Sequence, residues 1–253
     1  MRRPNDDNDL TGTQTERSLS GALKIRQTTH GYRFSIDSLL LAHHVSLEPG
    51  EVGVDLGTGC AVIPLILADR FPSTTIYGIE IQEDMYETAL QNVRDNGMAN
   101  RVRILHGDLK DSETLLKAGV ADVVFSNPPY RPVGTGRISP NSQRAIAKHE
   151  IKAKLFDVVS AAQHLLRRSG RFWIIYPAGR LVDLLTRMRS VRLEPKRIRL
   201  IHSTAESPAE LVVVEGVKEG NPGITVLPAV VTHDAEGNFT GEMAKIVRAG
   251  TET

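Results

Sequence analysis

Between residues 51 and 177, short apolar runs alternate with amphipathic stretches. EVGVDLG (51–57) reads as a buried strand and AVIPLILADRF (61–71) as the helix after it. TTIYGIEI (74–81) predicts a second strand. EDMYETALQNVRDNG (83–97) then predicts a helix with Met85, Ala89 and Val93 on one face and Gly97 as its stop. RVRILHG (101–107) and ADVVFS (121–126) predict the third and fourth strands. EIKAKLFDVVSAAQHLLRRSG (150–170) puts Ile151, Leu155, Val158, Val159, Ala162, Leu165 and Leu166 on one stripe, and RFWIIYP (171–177) follows as a fifth strand. AGRLVDLLTRMRSVRLE reads as a helix, and KRIRLIHS (196–203) with ELVVVEGVK (210–218) as an antiparallel hairpin at the sheet edge. The last stretch predicts a second small hairpin turning at Asp234–Asn238, then a short helix. Such alternation implies an α/β fold, a mostly parallel sheet with helices on both faces and an antiparallel edge hairpin.

Sheets of this kind bind ligands beyond the carboxyl ends of their strands. Residues 57–60, 80, 107–108 and 127–130 all fall there. Residues 1–22 are polar and read as a loose tail. Residues 23–250 read as one domain with a C-terminal hairpin-and-helix extension, and 253 residues at 40% hydrophobic content suffice for its core. One cysteine, Cys60, excludes an internal disulfide framework and a multi-cysteine metal site. A net charge of +1 gives no global argument for nucleic acid, so any basic surface must be local. No apolar run is long enough to span a membrane and the N-terminus does not read as a signal peptide, so a cytoplasmic location is expected.

VDLGTGCAV (54–62) sets Gly57 and Gly59 between a strand and a helix, where glycine lets a ligand lie against the backbone. Its partner is Glu80, at the end of the next strand, where a carboxylate accepts ribose hydroxyls. The pair favours a nucleoside-containing cofactor. A dinucleotide site needs a third glycine where this chain has Val62, which weighs against NAD. Asp108, in HGDLKD at the same rim, is placed to bind an adenine amino group or to cap the next turn. At residues 127–130 stands Asn-Pro-Pro-Tyr, a donor-free rigid turn directly after a strand.

DLGTG (55–59), IEI (79–81), GD (107–108) and NPPY (127–130) resemble the ordered motifs of class I S-adenosylmethionine-dependent methyltransferases, which have a Rossmann-like fold. NPPY is similar to the signature of those that methylate nitrogens conjugated to a π system. The run QTTHGYRFSIDSLLLAHHV (27–45) further resembles the segment that closes over the cofactor in bacterial tRNA adenine-N6 methyltransferases acting on valine tRNA. The resemblance implies S-adenosylmethionine as cofactor, with Tyr32, Arg33, Asp37, Asp55, Gly57, Gly59, Glu80, Ile81, Asp108, Leu109 and Asn127 around it. It implies Asn127, Pro128, Pro129 and Tyr130 at the target base, and the adenine next to the anticodon as target.

The chemistry of these residues suits that class. An exocyclic amino nitrogen is a poor nucleophile because its lone pair is delocalised into the ring. Two acceptors aimed at its hydrogens, the Asn127 side-chain carbonyl and the Pro128 backbone carbonyl, favour a pyramidal nitrogen, and the diproline holds them stiffly. Tyr130 offers a face on which a flipped-out base can stack. No metal is required; His149-Glu150 lacks the second histidine of a zinc-protease helix, and a metal site at His43 and His44 is not expected. Arg131, Arg137, Arg144 and Lys148 begin at this turn and read as RNA-binding. A second basic cluster, Arg187, Arg189, Arg192, Lys196, Arg197 and Arg199, is balanced between RNA contact and an ordinary solvated face. The expected partner is tRNA, the expected state a monomer or weak homodimer. A release-factor glutamine amide or rRNA guanine N2 are alternative substrates; a nicotinamide-dependent oxidoreductase is a reading of a different class, and a non-catalytic RNA-binding relative a third, which the intact Asn127–Tyr130 turn weighs against.

Overall fold

The computed structural model describes residues 14–19, 23–28, 36–129 and 155–249. Two short strands come first, β1 (Gln14–Leu19) and β2 (Leu23–Thr28), paired antiparallel. Helix α1 (Ile36–His44) leads into β3 (Val52–Leu56), α2 (Val62–Arg70), β4 (Thr75–Glu80), α3 (Glu83–Asp95) and β5 (Val102–His106). A one-turn α4 (Ser112–Leu115) precedes β6 (Ala121–Ser126); α5 (Leu155–Leu165), β7 (Leu166–Pro177) and α6 (Leu181–Ser190) follow. β8 (Leu193–His202), β9 (Ala209–Lys218), β10 (Thr225–Val231) and α7 (Gly241–Ala249) complete the chain.

Eight strands form one sheet in the order β10-β8-β9-β7-β6-β3-β4-β5. Its five central and first-edge strands run parallel, and β9 is antiparallel to both β7 and β8. The order reverses between β3 and β6, which opens a crevice at their carboxyl ends. Alternation along the strands splits the core into two layers. Val123, Phe125, Trp173, Ile175 and Val213 face α1, α2, α3 and α7, whereas Val124, Phe172, Ile174, Tyr176, Val212 and Val214 face α5 and α6. The α/β sheet, its parallel centre and the β8–β9 hairpin are those expected from the sequence.

Three details differ from expectation. Gln14–Leu19 is expected within a loose tail, but its backbone pairs with β2, with Leu19 opposite Leu23. The helix expected to run to Gly170 stops at Leu165, and Leu166–Gly170 join β7 through an irregular register opposite Ala121–Val123. Ser169 adopts a left-handed φ of 60° there, and a Cβ on Gly170 would lie 2.9 Å from the Arg167 carbonyl oxygen. The final hairpin is a tight turn with one bridge, His233 to Phe239, because β10 instead pairs parallel with β8 and becomes the sheet edge.

Helix α1 is pinned from two sides. Arg70 donates Nη1 to the Ala42 carbonyl at 2.7 Å and Nη2 to the Val45 carbonyl at 3.0 Å, capping its C-terminus. His44 donates Nδ1–H to the Leu40 carbonyl at 2.7 Å, leaving Nε2 to accept from Arg199 at 3.3 Å. Arg199 also pairs with Glu242 of α7. Burial, helped by His43 and Arg199, lowers the His44 pKa to about 4. Between pH 4 and 6.5 the unfolded chain therefore binds a proton that the folded chain does not, so this histidine makes stability fall as pH falls through that window. A His44→Gln variant should lose less stability from pH 6.5 to 4 than the parent, by roughly 2–3 kcal/mol, in urea midpoints compared across pH.

Candidate active site

The carboxyl ends of β3, β4, β5 and β6 meet at one rim, and a turn built from Gly57 to Ala61 lies at its centre. Gly57 has φ 76° and Gly59 φ 58°, left-handed values that glycine adopts without steric cost. Ala61 takes φ 64° as well, although it carries a Cβ. Among the described residues, a Cβ at Gly57 would meet no atom within 4 Å, so none of them covers the backbone there. Thr58 donates its hydroxyl to Asp55 Oδ2 at 2.9 Å. Thr58 sits against Gly78 of β4, where a Cβ would fall 2.8–2.9 Å from Thr58 side-chain atoms.

Glu80 is 4% exposed and ties this turn to the next. Its Oε2 accepts the Gly59 N–H at 2.8 Å, and Oε1 accepts those of Ile81 at 3.0 Å and Gln82 at 2.9 Å. A carboxylate has about four lone-pair sites, so roughly one remains for a further donor. Burial raises the pKa of Glu80 and the three N–H bonds oppose that rise. His106, stacked on Tyr86 at 5.0 Å between centroids, donates Nε2–H to the Ile81 carbonyl at 3.2 Å and lies 3.3 Å from Glu83. Asp108 accepts from the Lys110 N–H at 3.1 Å, capping the turn at Leu109–Asp111. The capping alternative for Asp108 is therefore observed, and its other oxygen remains at the rim.

Asp55 is 1% exposed, and its Oδ1 has no hydrogen-bond partner among the described residues. Burial is the main cause that pushes its pKa up to about 7, and nearby Glu80 adds to it. An orphaned carboxylate oxygen beside an open glycine turn fits a ligand carrying a positive charge or a hydrogen-bond donor. Asn127, half-buried after β6, donates Nδ2–H to Ser38 Oγ of α1 at 3.1 Å. That bond ties the amide to α1. Pro128 is buried and Pro129 half-buried behind it. Asp37 is half-buried in the first turn of α1, one residue from Ser38.

The rim thus brings together Asp55, Gly57, Gly59, Glu80, Ile81, Asp108, Leu109 and Asn127. Tyr32, Arg33, Tyr130, Arg131, Arg137, Arg144, Lys148 and His149-Glu150 lie outside the described residues. Sequence reasoning did not single out Ser38, Thr58, Gly78 or Asn92. The second basic cluster is largely engaged: Arg189 pairs with Glu194 at 3.1 Å, Arg197 with Glu215 at 3.3 Å, and Arg199 with Glu242. Lys196 donates to the Asn221 carbonyl at 3.0 Å, and Arg187 lies over the Phe156 ring at 5.7 Å. Three of the six basic residues thus meet an acid, and Arg189 and Arg197 stay more than half exposed beside theirs.

Residues 32–180 match the family described as Methyltransferase small domain. The chain belongs to that family. A Porphyromonas gingivalis protein named tRNA1(Val) (adenine(37)-N6)-methyltransferase is 29% identical over 231 residues, 88% of this chain and 89% of its own length. Its counterpart from strain W83, of the same name, is 30% identical with the same coverage. Among solved structures, a predicted O-methyltransferase, protein Atu636 from Agrobacterium tumefaciens, superposes with a TM-score of 0.70 at 20% identity, covering 86% of this chain and 98% of that one. TYW2 from Pyrococcus horikoshii in complex with MeSAdo gives a TM-score of 0.57 at 13% identity, covering 83% and 73%. The chain is therefore a methyltransferase and not a nicotinamide oxidoreductase.

Two outcomes follow from the packing of this methyltransferase's rim. Gly78→Ala forces Thr58 off Asp55 and should cost about 1–3 kcal/mol in urea unfolding. Between pH 3.8 and 7 folded Asp55 holds a proton that the unfolded chain has released, so its contribution to stability falls as pH rises through that window. Asp55→Asn should therefore gain stability relative to the parent by up to about 1.4 kcal/mol per pH unit between pH 4 and 7.

Proposed function

We propose that this methyltransferase transfers a methyl group from S-adenosylmethionine to N6 of an adenine in tRNA, the adenine beside the anticodon of a valine tRNA. What carries the reading is coverage: the relatives named for this activity align with 88% of the chain, more than can be reached without the rim. A tRNA substrate would place the protein in the cytoplasm. No helix among the described residues is long and apolar enough to cross a membrane.

In this reading the open face of Gly57 and Gly59 receives the cofactor, the remaining capacity of Glu80 accepts a ribose hydroxyl, and Asp108 accepts from the adenine. Asp55 Oδ1 is a candidate acceptor for the amino group. The sulfonium, when bound, supplies an already activated methyl group, so positioning carries much of the barrier reduction. Asn127, tied to Ser38, and the Pro128 carbonyl hold the target amino hydrogens and bring its lone pair out of conjugation. Tyr130 stacks on the base, and Arg131, Arg137, Arg144 and Lys148 contact phosphates.

Labelled S-adenosylmethionine offered with unmodified total tRNA, total rRNA and purified release factors tests the reading. N6-methyladenosine in digested tRNA is the expected product. Labelled protein or N2-methylguanosine would overturn the substrate. Asn127→Ala should lower kcat at least ~10³-fold while the Kd for S-adenosylhomocysteine stays within about threefold.

A further inference from the structure

Helix α3 carries its apolar stripe toward the sheet, yet one of its fully buried side chains is an amide. Asn92 is 0% exposed. Its Oδ1 accepts the Arg26 N–H at 2.8 Å, and its Nδ2 donates to the Arg26 carbonyl at 3.1 Å and to the Cys60 carbonyl at 2.9 Å. One turn later, Asn96 Oδ1 accepts the Lys24 N–H at 2.9 Å and Nδ2 donates to the Lys24 carbonyl at 2.8 Å. Two asparagines thus bind the edge of β2 as a neighbouring strand would.

The spacing explains the fit. Four helical residues advance about 6 Å. Two strand residues advance about 6.8 Å. Side chains at i and i+4 therefore meet alternate peptide groups of an extended chain laid along the helix. β1 pairs with the other edge, so β2 is bonded on both sides. Asp95, between the two asparagines, holds Arg26 Nε at 2.7 Å. Asparagine is neutral to unfavourable inside a helix, so a fully buried Asn92 points to a purpose beyond helix formation, and Asn96 follows it at the C-cap.

Asn92 also reaches the glycine turn. Both of its amide hydrogens are used only when β2 is docked and the Cys60 carbonyl faces α3. A single buried amide therefore joins the seating of the N-terminal hairpin to the shape of the turn. We propose that Asn92 is a positioning residue for the cofactor site. Docking of β2 along Asn92 and Asn96 holds the Gly57–Cys60 turn in its binding form, and cofactor binding in return tightens the hairpin. The proposal rests on the assignment of the cofactor to that turn.

The test uses the full chain, calorimetric titration with S-adenosylhomocysteine, and hydrogen exchange at the Lys24 and Arg26 amides. Saturating ligand should slow exchange of both amides about tenfold in the parent. Asn92→Ala should weaken ligand binding by folded molecules about tenfold and abolish the slowing, whereas Asn96→Ala, which keeps the bond to Cys60, should weaken binding by no more than about threefold. Exchange in the parent indifferent to ligand overturns the proposal without any variant having to fold. So does an Asn92→Ala chain of lower Tm with an unchanged Kd, since a purely structural amide behaves that way. Gly57→Val separates the two levels: loss of binding supports the site and the coupling built on it, and normal binding overturns both.

Discussion

A single buried carboxylate organises the rim. Glu80 takes N–H groups from both the turn after β3 and the turn after its own strand, so these two neighbouring turns on one side of the crevice are set relative to one another by three hydrogen bonds. Left without these donors, an ionised carboxylate at that depth would carry a large desolvation cost. The need is mutual, because the three peptide groups would otherwise be orphaned at a helix start and a strand end. The same arrangement limits what Glu80 offers a ligand. With three acceptor sites committed, it has room for about one more hydrogen bond, which suits one ribose hydroxyl better than two.

The turn after β6 is positioned by a longer chain of contacts. Arg70 caps α1 and the His44–Arg199–Glu242 series fastens it to the sheet edge and the C-terminal helix. α1 in turn presents Ser38 to the Asn127 amide. The C-terminal extension thus has a place in the site even though it lies well away from it. Asp55 and His44 pull stability in opposite directions with pH, one kept neutral by protonation and the other by losing its proton. Both are consequences of burying a titratable group in order to shape a helix or a turn.

Much of this was legible in the sequence because it depends on local pattern. Runs such as ADVVFS and RFWIIYP give central strands by composition alone, and glycine at 57 and 59 marks the left-handed turn. Each motif falls just after a strand, which is enough to gather them at one rim. Other features depend on partners far apart in the chain. Gly170 and the left-handed Ser169 divert a helical stripe into a strand extension, which a 3.6-residue periodicity does not reveal. The pairing of β10 with β8 is set by tertiary packing, not by its own residues. Asn92 and Asn96 were hidden because only the apolar face of α3 was read. Their i, i+4 spacing, from inside the helix to its C-cap, is a signal. Three members of the second basic cluster, Arg189, Arg197 and Arg199, meet acids that the one-dimensional pattern does not pair with them.

The most direct measurement is a crystal structure of the chain with S-adenosylhomocysteine. The ligand is expected across Gly57–Cys60, with its ribose beside Glu80, its adenine beside Asp108 and its sulfur facing Asn127. Ligand bound elsewhere, or an Asn127 turned away from the sulfur with Ser38 still holding its amide, would contradict that placement.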